Sequence, residues 1–478
     1  MKTQLLFLSS FVGCILFGQT KLKEFPISSS VFSKHQKSNT IEGAFVAVEF
    51  EKTECISQGE IVALKHSISQ NKERILSANP NVFKNLKAAN GFVNPFRSKA
   101  GFDDHGYHTL NFQVDHDLSF VNKLKDYNCG TRTYDWSGGN HQGTDYILWP
   151  YPWKRMDEST MEVLAAAAGV IVEKKDGFND KNCTNTGNPN WNGIVLEHAD
   201  GTRTLYMHFK KNTTTSKAVG ESVVAGELLG IAGSSGSSTT AHLHFEVRDV
   251  NFNVLDPYSG NCNTMNSNSL WQNQESYVVP RVNRISTHYV FTQDTTCPNI
   301  ENTYEKSNFA VNDNWFVKLF LRDINHGDKI DMKIIAPDGS VWESWSWTDN
   351  WNVFYATAYV YWQRTINTSW PVGVYKVQAT FGGQTYEQNF GVGVNMNIDE
   401  NEASKLKLYP NPANNILHFE QAQNIKSVEI LSMNGQLTSS KKIDSNKGEI
   451  SVAELPKGTY ILKVNMEKEV KHLKFIKN

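Results

Sequence analysis

The 478-residue sequence predicts a mainly β, multidomain chain, in which an antiparallel β-sheet domain is followed by β-sandwich domains. Three observations carry that expectation. Apolar and polar residues alternate with period two over residues 205–209 and 241–247, and apolar strand formers fill 315–321. Turn signals such as Asp200-Gly201 and Pro337-Asp338-Gly339 punctuate the runs. Hydrophobic residues make up 39% while aromatics reach 12%, which suits β-rich extracellular domains with polar outer faces better than helix bundles. The chain is too long for one core. A net charge of −2 with no basic block argues against nucleic acid as a partner.

From the amino terminus, Lys2 and the apolar stretch 5–17 read as a secretory signal over residues 1–19. It is too short to span a membrane, and no other stretch is long enough to form a transmembrane segment. Cys14 lies too deep in the apolar stretch for a lipoprotein signal. Residues 20–125 read as an amino-terminal segment with no identifiable chemistry. It carries a loose helical pattern over 60–86 and a strand- and loop-rich stretch from Asn94-Pro95-Phe96. Asp115, His116 and Asp117 have the residue types of a metal cluster but read as a surface turn, because enough ligands occur elsewhere.

Residues 126–280 hold the chemistry. On a strand over 241–247, His242 and His244 share one face while Leu243, Phe245 and Val247 point into a core. Two imidazoles ~7 Å apart at Cα can serve one metal centre, one as ligand and one as proton carrier. His141 and Asp145 are four apart, yet Gly143 and the following Tyr146-Ile147-Leu148-Trp149 favour a turn into a strand over a helix. Alternation places Tyr206 with His208 on one face and Leu205, Met207 and Phe209 on the other. A catalytic zinc needs three protein ligands and an open position; His141, Asp145 and one of His242 and His244 supply that set. Residues 169–172 read as a strand despite the preceding alanines, and 195–202 as a hairpin in which His198 is a strand residue.

His-x-Gly-x-Asp at 141–145, Tyr-x-His at 206–208, the Gly/Ser run into His-Leu-His-Phe-Glu at 242–246 and the closing Asp256-Pro257 resemble the lysostaphin/LytM/LasA type of zinc endopeptidase, metallopeptidase family 23. The resemblance runs from Tyr127 to Val279 and implies that 126–280 is a zinc metallopeptidase domain. Carried over residue by residue, it makes His141, Asp145 and His244 the ligands of one Zn²⁺, and His208 and His242 the catalytic pair. His242 is then the general base and His208 a helper that stabilises the tetrahedral oxyanion, an assignment the motif leaves open to exchange. It also implies a tyrosine shortly before the first ligand, which Tyr134 fits loosely, and that residues 20–125 are an amino-terminal segment or pro-region over the groove. Residues 233–240 would wall a narrow groove for slender substrates. The implied activity is hydrolysis of peptidoglycan cross-bridges or of glycine-rich, small-residue peptide bonds. The alternatives are a non-catalytic cell-wall-binding or regulatory member of the same fold, and an adhesin that works through its β-domains.

Removal of the signal leaves Cys55, Cys129, Cys183, Cys262 and Cys297, an odd number for an oxidising compartment. Loss of Cys55 on maturation would leave four, for which the expected pairs are Cys129–Cys183 and Cys262–Cys297. With no C-x-x-C spacing, cysteine ligation of the metal is not expected. Residues 281–394 read as a β-sandwich whose Trp342, Trp345, Trp347 and Trp351 belong in the core rather than on a sugar-binding face. A polar linker follows over 395–404. Residues 405–478, opening on Tyr409-Pro410-Asn411-Pro412 and carrying Leu455-Pro456-Lys457-Gly458-Thr459-Tyr460, resemble the carboxy-terminal sorting domain of type IX secretion cargo. That resemblance implies export through periplasm and outer membrane to the surface or medium, with the type IX machinery as partner.

Overall fold

The computed structural model describes the chain except residues 1–12, 18–19, 34–39, 53, 87–90, 120–121, 184–187, 291–296, 298–299, 395–406, 433–435 and 467–469. Most of the expected signal and the linker therefore lie outside the described residues. The chain is mainly β, and forms one compact unit up to Val394 and a second from Asn395. Among the described residues no helix is long and apolar enough to cross a membrane.

The sheet that carries the motifs is antiparallel at every pairing. Its strands lie in the order Ser222–Val223, Gly169–Lys175, Gly193–Glu197, Arg203–Met207, His242–Arg248, Thr144–Leu148 and His108–Phe112, with Val254–Leu255 also beside His242–Arg248. Alternation decides which side chain goes where. Ile171, Leu196, Tyr206, Leu243, Phe245 and Val247 enter one core, while Val170, Val172, Val195, Leu205 and Met207 turn to the other face. The helix Gln58–Ala78 covers that second face. It starts on a reciprocal Ser57–Glu60 capping box and packs Ile61, Leu64, Ile68 and Ile75 against those valines and leucines. Asn71 Nδ2 ties it to the sheet by donating to Val172 O at 2.8 Å.

The sandwich of residues 281–394 is completed from the other end of the sequence. The strands Tyr355–Thr365, Thr40–Phe50, Thr20–Ser33 and Val341–Thr348 are neighbours in that order, so the early hairpin sits in the middle of the path rather than at an edge. Residues 20–125 thus do not stand apart as one segment. Their first two strands join the sandwich, their helix covers the motif-bearing sheet, and His108–Phe112 is a strand of that sheet. Trp342, Trp345 and Trp347 are buried in the sandwich core, and Trp351 packs half-buried against it.

Sandwich and motif-bearing domain share a buried seam of Val46, Val48, Ile147, Trp149, Phe320 and Tyr359. Arg132 and Asp323 form an ion pair across it at 2.7 Å, both side chains buried. The disulfides are Cys129–Cys262 and Cys183–Cys297, not the pairs nearest in sequence: chain return brings those Cα atoms to 5.1 and 5.8 Å. The second unit packs the strands Lys407–Tyr409, Ile416–Ser432, Leu437–Ser451, Gly458–Met466 and Val470–Lys477 around Leu417, Phe419, Val428, Leu462, Val464 and Phe475.

Candidate metal centre

Register builds the site. Asp145 lies opposite His244 across one strand pair, and Met207, the last residue of its strand, lies opposite His244 across the next. His208 follows with φ 68°, a left-handed turn that ends the strand. It therefore does not share a face with Tyr206 by alternation. Tyr206 packs on Phe245 in the core, its ring 5.3 Å away, while His208 swings to the opposite side and stands 4.6 Å from the ring of His242 and 5.9 Å from that of His244. The structure thus brings His141, Asp145, His208, His242 and His244 together, all buried.

Each imidazole has one nitrogen tied outward. Nδ1 of His141 donates to Gln113 O (2.7 Å), that of His208 to Ser235 O (2.6 Å) and that of His242 to Thr240 O (2.8 Å). His244 uses Nε2 instead, donating to Glu246 Oε1 at 3.0 Å. The tautomers follow from those acceptors, so His141 Nε2, His208 Nε2, His242 Nε2 and His244 Nδ1 face inward with lone pairs. His141 Nε2 lies 3.3 Å from His244 Nδ1 and from Asp145 Oδ2, and His244 Nδ1 lies 2.8 Å from Asp145 Oδ1. Acceptors at such distances need a proton or a metal cation between them. His208 Nε2 and His242 Nε2 are buried with no hydrogen-bond partner. The donor set therefore fits a bound cation.

The electrostatics agree. Burial pushes the Asp145 carboxyl up, but His141 and His242 outweigh it and hold the group well below its ordinary range. Burial opposes charge on His141, yet Asp145 raises it to about 9, and His242 is raised against burial in the same way. His208 is lowered, by burial first and His242 next. Protons are drawn to the same inward atoms that would hold a metal.

Sequence reasoning missed the shell behind these side chains. Glu246 and Arg248 continue the His242/His244 face at two-residue steps, so alternation carried the signal. Arg248 donates to Glu246 Oε2 from Nε at 2.8 Å and from Nη2 at 2.6 Å, and Nη2 also reaches Gln142 Oε1 at 2.6 Å. Burial raises the Glu246 carboxyl, but Arg248 and His244 bring it below its ordinary value, so it stays an acceptor for His244. Tyr134 stacks on His141 with ring centres 4.4 Å apart. His116 is not on a surface turn: it is buried, its Nε2 2.9 Å from Asp256 Oδ2, as a clasp on the Asp256-Pro257 motif. His198 is satisfied by Ala168 O and Thr204 Oγ1. Contrary to expectation a cysteine lies in the cluster. Cys55 Sγ is within 4.8 Å of ligand atoms of His141, Asp145 and His244, and of those of His208 and His242.

Residues 140–257 match the family model described as peptidase family M23, and residues 407–478 match that of a secretion system C-terminal sorting domain. The glycyl-glycine endopeptidase ALE-1 of Staphylococcus capitis is 36% identical over 135 residues, 28% of this chain and 32% of that protein. The DD-carboxypeptidase/endopeptidase Mpg of Neisseria meningitidis serogroup B is 37% identical over 99 residues, 20% of this chain and 19% of its own. The matched stretches thus span about a third of the first relative and a fifth of the second. The solved catalytic domain of lysostaphin from Staphylococcus simulans is 24% identical, with 37% of this chain and 91% of that one covered at a TM-score of 0.19. The residues that build this site thus lie within a peptidase family M23 domain, and residues 407–478 form a secretion system C-terminal sorting domain.

Proposed function

We propose that the chain is an exported zinc-dependent endopeptidase that cleaves peptidoglycan cross-bridges or peptide bonds between glycine and other small residues. The observation that carries this reading is the convergence of inward-facing lone pairs from His141, His244 and Asp145, inside a peptidase family M23 domain. Two neutral imidazoles and one carboxylate are a donor set that zinc accepts. His141 Nε2, Asp145 and His244 Nδ1 would hold it, and Glu246 and Gln113 fix the two rings. Zinc bound there supplies a Lewis acid that polarises a peptide carbonyl and lowers the pKa of a water from 15.7 to about 7.

The remaining chemistry belongs to side chains. His242 Nε2 takes the proton of the attacking water as general base; Asp145 Oδ1, 3.7 Å away, favours the imidazolium that results. His208 has spent Nδ1–H on Ser235, so it stabilises an oxyanion only once Nε2 is protonated, and its neighbour His242 is the proton's nearest source. Carbonyls of Ser235 and Thr240 in the Gly/Ser run aim both rings, which gives that run a second role beside walling a groove suited to slender, glycine-rich strands. The expected signal and the sorting domain support export by the type IX system to the surface or medium.

The test compares the wild type with His244→Ala and His242→Ala on purified cell walls and on a glycine-rich peptide, with metal content read in parallel. The wild type is expected to hold about one zinc per chain. His244→Ala should lose metal and cleavage together. His242→Ala should keep the metal and lose about 10²–10⁴ in kcat, the range for a positioned general base. A wild type that holds no zinc would overturn the reading.

A further inference from the structure

Cys55 sits among polar ligand atoms, where a merely space-filling cysteine has no reason to be. Its sulfur lies within 4.8 Å of a ligand atom of each of His208, His242 and His244 in one grouping, and of His141, Asp145 and His244 in another. It is buried, belongs to neither disulfide, and lies 3.4 Å from Tyr134 Oη. The second observation concerns two of the histidines. His208 Nε2 and His242 Nε2 are both buried with no hydrogen-bond partner.

The chain on both sides holds the thiol there. Before it, Thr239 Oγ1 donates to Glu51 O at 3.2 Å, fastening the segment to the Gly/Ser run. After it, Ile56 enters the apolar cluster beneath the helix, and Ser57 caps that helix. The helix then runs over the sheet face that continues from the site, where an extended substrate would have to lie. The His141, Asp145, His208 and His244 side chains are correspondingly shut off from solvent.

Resting on the zinc reading above, we propose that Cys55 is the fourth ligand of the metal in the intact chain, a thiolate latch that fills the position water must take for hydrolysis. The thiol gives up its proton to solvent when it ligates. Zinc with sulfur, nitrogen and oxygen donors and no open position is a closed, inert site; opening it requires that Cys55 withdraw and a water replace the sulfur.

The experiment uses the full chain loaded with cobalt(II), and compares wild type, Cys55→Ser and Cys55→Ala. Cys14 is present in all three, so a difference isolates Cys55. The wild type is expected to show a near-ultraviolet sulfur-to-cobalt charge-transfer band that both variants lack at equal metal content. Alkylation of Cys55 in the wild type should be slow with metal bound and rise when a chelator removes it. Cleavage by the variants should exceed that of the wild type about tenfold to a thousandfold, the gain expected when a competent state populated at 0.1–10% becomes dominant. Cobalt bound without the band, and a thiol whose reactivity ignores the metal, would overturn the latch and leave the zinc site standing. A chain that takes up no metal would overturn both.

Discussion

Gly143 shows how tightly the ligand cluster is packed. A Cβ there would meet Cε1 and Nε2 of His244 at 2.7 Å and the Phe245 carbonyl oxygen at 2.8 Å, closer than real contacts allow. The glycine of His-x-Gly-x-Asp is thus explained by the ring it leaves room for. Gly143→Ala should push His244 off Glu246 and Asp145 and lower zinc affinity about 10–100-fold, the loss typical when the support of a ligand is disturbed. Competition with a chromogenic chelator measures it; unchanged affinity would show that the ring has room to spare. At this scale much of the site was legible, because Asp145, His242 and His244 lie on paired strands where spacing sets direction, and His141 stands in the turn just before the strand of Asp145. Glu246 and Arg248 were equally legible as further steps of the same alternation. His208 was legible by type but not by direction, since a left-handed residue breaks the period. The anchoring carbonyls of Gln113, Ser235 and Thr240 depend on loop paths that side-chain pattern does not encode.

Among the elements, the helix Gln58–Ala78 announces itself through Ser57-x-x-Glu60, and it stops at Asn79 because Pro80 follows. The short helix Pro152–Asp157 is less obvious, and its partner is remote. Glu301 Oε2 accepts from the backbone N–H of Trp153 and of Lys154, both at 3.0 Å, capping the helix from outside. Burial raises this carboxyl to about 7, against the lowering effect of those two N–H groups. Between its ordinary value of 4.5 and 7 the folded chain therefore keeps a proton that the unfolded chain has released. Stability falls as pH rises through that window, and the loss is complete above it. The full span corresponds to on the order of 3 kcal/mol. Glu301→Gln keeps an acceptor for both N–H groups without the charge. Its unfolding free energy should lack this downward trend between pH 4.5 and 7; a trend parallel to the wild type would assign the loss to other groups.

For the whole molecule the important connection is one that pattern alone does not reveal. Period-two runs identify the strands of the sandwich, but not that two of its inner strands come from residues 20–50, far away in sequence. The hairpin puts Ile27, Val31, Ile41, Phe45 and Ala47 into the sandwich core. At about 1.5–3 kcal/mol for each large apolar side chain buried, its removal costs on the order of 10 kcal/mol. That is as much as a typical domain has in total. A chain starting at residue 56 should therefore aggregate or melt far below the full chain, whereas Cys55→Ala should melt close to it; differential scanning calorimetry separates the two. A truncated chain with unchanged melting would show that the hairpin is dispensable. The same topology bears on maturation. A protease that cuts between Ala78 and Phe92 leaves Cys55 joined to strands held in the middle of the sandwich. The amino-terminal fragment should then co-elute with the remainder on gel filtration and separate only in denaturant. Activation by one cut would consequently be weak, and a second cut between Phe50 and Cys55 should be needed to free the groove.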